Sequence, residues 1–127
     1  MSEITRIYYN KLIRDNIPDM IKAKHKECGY EQITDSQEFQ QELFKKIREE
    51  AMSLAMTRTR EDFLKEYADL MMVLETVIHH FDISTEDLKQ ARIDNHLKKG
   101  GYKKQYFLKW SADVEYQSEE SPQGIPL

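Results

Sequence analysis

Apolar positions along the chain fall into two long helical stripes. Leu43, Ile47 and Leu54 recur at one spacing, and Phe63, Tyr67, Leu70, Leu74 and Val77 repeat it further on; residues three, four or seven apart share a helix face. Asp35 and Glu38 resemble a capping box, predicting a helix from there to about Met56. The segment "TRTRED" makes a short connection, and a second long helix carries Phe63 through Phe81. A short connection between two such helices predicts an antiparallel hairpin. Pro18, Asp19 and Gly29 suit the start, first turn and end of a short helix from Pro18 to about Cys28. Ser84 and Asp87 open a further helix, which Gly100 stops after Lys99. "YEQIT" alternates weakly and "YKKQYFLKW" is β-prone, so that segment is expected to pair with Tyr30 to Ile33. The predicted fold is all-α: a helical bundle built round an antiparallel helix hairpin, with at most a minor short β pairing.

Glu50 interrupts the first stripe, and Glu66 and Asp69 border the second. In an antiparallel hairpin whose turn is centred between Thr59 and Arg60, residues at equal height have position numbers with a constant sum. Glu50 then faces Asp69, Ser53 faces Glu66, and three carboxylates converge. Like charges crowded in a partly desolvated site raise each other's energy unless a cation compensates them. Hard oxygen ligands without a nearby thiol favour Mg²⁺, with Mn²⁺ as the alternative ion, and Mg²⁺ keeps positions open for water and phosphate oxygens. A solvated acidic helix face would show the same spacing, and the pattern alone leaves that alternative open.

Composition narrows the field. With 127 residues, 39% hydrophobic and 33% charged, and few Gly and Pro, the chain suits one helical domain with polar outer faces. A domain over 1–110 is expected, followed by an acidic, aperiodic and disordered tail over 111–127. The net charge of -4 supplies no overall basic field, so nucleic acid is not an expected partner. The single cysteine, Cys28, excludes an intrachain disulfide and suits a reducing compartment. No signal-like segment opens the chain and its most apolar run, Leu70 to Ile78, is too short to span a bilayer, so no membrane partner and a cytoplasmic location are expected. No Walker motif is present.

Four stretches, "YNKLIRDNIP", "KKIREEAMSL", "LKEYADLMMVLETV" and "KKGGYKKQYFL", stand in this order between Tyr9 and Leu108. Together they resemble the all-α nucleoside triphosphate pyrophosphohydrolases of the MazG-type superfamily, and within it the small house-cleaning, phosphoribosyl-ATP pyrophosphohydrolase-like branch. The resemblance implies hydrolysis of the α–β phosphoanhydride of a canonical, modified or damaged nucleoside triphosphate to a monophosphate and pyrophosphate. It implies Mg²⁺ held by E-x-x-E and E-x-x-D pairs on facing helices. Glu66 and Asp69 match the second pair. Glu49 and Glu50 match the family's adjacent glutamates, but its third glutamate is Ser53 here, and a further acidic position frequent in the branch is Met72. Ser53 would then contribute at most a hydroxyl or an ordered water, leaving one strong metal site.

On that likeness Glu49 or Glu50 would orient or deprotonate the attacking water. Lys11, Arg14 and Lys99 would bind phosphate, Asp15 would fix Arg14 or reach the metal shell, and Arg92 would support the basic group round "GGY". Lysines in a helix's final turn, Lys98 and Lys99 here, also simply complement its dipole. His79 and His80 point apart and are expected to cap the negative end of their helix. Tyr106 and Trp110 are expected to fasten a C-terminal strand rather than stack on a base. Met52, Met56, Met71 and Met72 suit core or subunit packing, and wide apolar faces suit a homo-oligomer, a dimer or tetramer. Two other functions stay open: a degenerate homologue that binds nucleotide or a protein without turnover, and a hairpin module with no ligand.

Overall fold

The computed structural model describes residues 5–115, and its elements are four helices: α1, Ile17–Ala23; α2, Ser36–Ala55; α3, Arg60–His80; and α4, Thr85–Lys99. Each start has a local cause. Pro18 occupies the first turn of α1, where its missing N–H is not needed. Side-chain oxygens of Asp35, Thr59 and Ser84 accept from the backbone N–H groups of Gln37, Asp62 and Asp87, at 3.2, 3.1 and 3.1 Å, satisfying donors left free at the starts of α2, α3 and α4.

Two helix ends share a backbone device. At α3 the chain turns through Asp82, with φ 55°; Ile83 N–H donates to the Ile78 carbonyl at 3.0 Å, and Asp82 N–H to that of His79 at 3.1 Å. At α1 the same pair of bonds runs from Lys26 to Ile21 (3.3 Å) and from His25 to Lys22 (2.9 Å), with His25 at φ 59°. This is the Schellman arrangement, which commonly uses glycine at the left-handed position. It corrects the sequence expectation for α1, which ends at Ala23 rather than near Cys28; Gly29 is not its cap. Gly100, at φ 75°, does follow the end of α4, its N–H donating to the His96 carbonyl at 2.7 Å.

The helices α2 and α3 pack antiparallel on each other. Near the open end of this hairpin Phe39 meets His80 edge-on at 5.6 Å, Phe44 lies 6.2 Å from Phe81, and the Ser36 hydroxyl stands 3.4 Å from His80 Nε2. Leu43 and Val73, one from each helix, are the buried apolar side chains, at 2% and 6% exposure. Much of the remaining apolar surface is open: Met52, Met56, Phe63, Leu64, Tyr67 and Met72 are all exposed.

The expected β pairing is corrected as well. Neither Tyr30 to Ile33 nor the "YKKQYFLKW" segment is a strand, and no strand occurs among the described residues. A strand needs a ladder partner for its N–H and C=O groups, and an isolated one gains nothing from β-prone side chains. Tyr106 and Trp110 are exposed, so they fasten no strand.

The chain divides into two units between Leu88 and Lys89. The first holds the segment before α1, helices α1 to α3 and the first turn of α4. The second holds the rest of α4 and non-helical chain beyond it, with a turn closed by the Gln105 N–H on the Tyr102 carbonyl at 3.0 Å; residues 111–115 have no regular structure, while the remainder of the expected tail, 116–127, lies outside the described residues. No helix among the described residues is long and apolar enough to cross a membrane.

Candidate metal centre

Glu66 and Asp69 stand one turn apart on α3, and the antiparallel packing brings Glu50 of α2 to meet them. One carboxylate oxygen from each lies within 4.8 Å of the others, and all three residues are half-buried. This is the convergence that the constant-sum register predicts. Two oxygens bound to one Mg²⁺ stand at most about 4.2 Å apart, so small side-chain rotations suffice to close the set. Three hard oxygen donors with no thiol or imidazole among them fit a hard divalent cation.

The cations around the cluster divide it in a way the spacing did not reveal. Glu49 is held at both oxygens: Lys11 Nζ donates to Oε1 at 2.8 Å, and Lys46 Nζ to Oε2 at 3.1 Å. The Lys11 hydrogen bond, aided by Lys46, holds the Glu49 carboxyl below its usual range against the opposing effect of burial. The same bond raises Lys11. Glu50 behaves oppositely. Burial pushes its carboxyl up, Lys46 at 3.6 Å pulls it back, and the charges of Asp69, Glu49 and Glu66 push it further. Glu50 is therefore the member of the adjacent pair that joins the cluster, and Glu49 is clamped beside it.

Arg14 Nη1 stands 3.5 Å from Asp69 Oδ1. The pair joins Arg14 to Asp69 rather than to Asp15, which is exposed on the segment before α1. That segment thus crosses the hairpin with Lys11 on α2 and Arg14 on α3. Ser53 is half-buried one turn beyond Glu50, and Met72 is exposed one turn beyond Asp69. Arg92 and Lys99 belong to the second unit, where both are exposed and Arg92 borders a surface depression with Lys89, His96 and Gly100. Lys46 is the residue the sequence reading missed. Its signal was present, since a lysine three and four positions before Glu49 and Glu50 shares their helix face.

Comparison of the chain with models of protein families, with curated proteins and with solved structures finds no match.

Proposed function

We propose that the protein is a Mg²⁺-dependent nucleoside triphosphate pyrophosphohydrolase of the MazG type, with Mn²⁺ able to replace Mg²⁺. The observation that carries this reading is the meeting of Glu50, Glu66 and Asp69 from two helices beneath a segment bearing Lys11 and Arg14. The four motif stretches that resemble the superfamily support it independently. Glu50, Glu66 and Asp69 would hold the ion, with Ser53 reaching it at most through water. When bound, the ion would neutralise phosphate charge and lower the barrier to water attack on the α phosphorus. Glu50 would orient the attacking water, Arg14 would bind phosphate oxygens, and Glu49 would anchor Lys11 rather than touch substrate. The bond between the α phosphorus and the bridging oxygen breaks, giving a nucleoside monophosphate and pyrophosphate.

Two features of the molecule bear on its setting. Among the described residues Leu43 and Val73, with Pro18, make a small apolar core against the cost of ordering four helices. A homo-oligomer, dimer or tetramer, covering the open faces of the hairpin supplies the missing burial. The lone Cys28 and the absence of a membrane-crossing helix among the described residues suit a cytoplasmic enzyme. Ser53 and Met72, standing where the resembled branch carries acids, favour a second reading: a homologue that binds nucleotide or a protein partner without turnover.

The test is pyrophosphate release from canonical and damaged nucleoside triphosphates with Mg²⁺ and with Mn²⁺, beside a Glu66→Gln control. Turnover that disappears in the control is expected. Saturable nucleotide binding without pyrophosphate release under every condition sinks the hydrolase and leaves the binder.

A further inference from the structure

We infer that Asp69 is shared between two cations: Arg14 holds it before a divalent ion is bound and yields it afterwards, which releases the guanidinium to a phosphate. The inference rests on the proposed metal centre and adds an order to its assembly.

The two ion pairs of the crossing segment differ in kind. Lys11 and Glu49 are 2.8 Å apart, and Glu49 is not among the clustered oxygens, so this contact persists whatever the cluster holds. Arg14 and Asp69 are 3.5 Å apart, longer than the roughly 2.7–2.9 Å of a strong charge-assisted bond. Their side chains are 55% and 47% exposed, so the pair is weak and easily exchanged. Asp69 is also one of the three cluster members. Divalent charge placed against Glu50, Glu66 and Asp69 removes the attraction that keeps the guanidinium there.

The backbone allows the exchange without moving. The Arg14 carbonyl accepts from the Ile17 N–H at 3.1 Å, Pro18 next to it is buried, and Lys11 is tied on the other side. Only the Arg14 side chain need swing. Its planar fork then meets a phosphate bound at the edge of the cluster, a geometry that suits guanidinium better than ammonium. Arg14 thus opposes the ion when no phosphate is present and assists phosphate once the ion is bound.

Calorimetric titration of the full chain separates these effects, first with Mg²⁺ or Mn²⁺ alone and then with inorganic pyrophosphate in the presence of Mg²⁺. Arg14→Gln is expected to bind the ion alone about two- to fivefold more tightly than the wild type, the worth of an exposed ion pair. The same variant is expected to bind pyrophosphate with Mg²⁺ about tenfold more weakly, the loss of one charged hydrogen bond. Lys11→Gln, which loosens the same segment without touching Asp69 and removes only a more distant positive charge, should tighten ion binding less than Arg14→Gln does. Unchanged or weaker ion binding in Arg14→Gln overturns the inference, and so does an equal tightening in Lys11→Gln, which would assign the effect to the segment as a whole. Absence of ion binding in the wild type and both variants would remove the metal centre itself, and this inference with it.

Discussion

Glu49 and Glu50 differ by one position and about 100° of helical direction, enough to shift the acidities of neighbouring carboxyls in opposite directions. Because burial raises the folded-state value of Glu50 above its ordinary one, the folded protein binds that proton more tightly than the unfolded chain. Its charge therefore costs stability above the raised value, and the cost disappears as pH falls from there through the ordinary value. Glu50→Gln is accordingly expected to raise the thermal midpoint of the ion-free protein at neutral pH and, under the proposed metal reading, to abolish stabilisation by Mg²⁺. A scan with and without Mg²⁺ measures both, and a lowered midpoint without the ion would contradict the burial account. Glu49 carries the reverse sign, stabilising above its ordinary value and losing that contribution as pH falls through the lowered one, though its exposure to solvent screens the effect. Sequence could place Glu50 in the cluster but could not choose between Glu49 and Glu50 as the group that faces the attacking water. The choice depends on Lys46 and Lys11, and the latter is 38 positions away along the chain.

The hairpin is the element where sequence and structure agree most closely. Its register was legible because two helices of regular pitch joined by a short turn have little freedom, and the caps at Asp35, Thr59 and Ser84 are local chemistry. Legibility failed where structure depends on something other than side-chain type. The end of α1 uses a left-handed histidine where a glycine was expected, and the β-prone segments lack a partner that composition cannot supply. Removing one cap, by Thr59→Ala, is expected to cost about 1 kcal/mol, and removing core volume, by Leu43→Ala, about 2–5 kcal/mol. Urea denaturation followed by circular dichroism compares them. Equal small losses for both would deny Leu43, at 2% exposure, its place as the hairpin's centre.

At the scale of the whole molecule, the exposed Met56, Leu64 and Tyr67 lie on the same hairpin that bears the acidic cluster. Under the proposed assembly, light scattering should give a dimer or tetramer at micromolar concentration, and Leu64→Glu should lower both the mass and the thermal midpoint. A monomer of undiminished stability in the wild type would remove the assembly. The cluster itself draws Glu50 from one arm of the hairpin and Glu66 and Asp69 from the other, so under the proposed metal reading opening the hairpin leaves no intact receptor for an ion. Apparent affinity then scales with the fraction of molecules whose arms are closed. A substitution far from any carboxylate, once it leaves an appreciable fraction open, will pass in an assay for a binding-site defect. Raising the ion concentration will refill the site in such a variant and, by drawing molecules to the closed form, restore its fold as well.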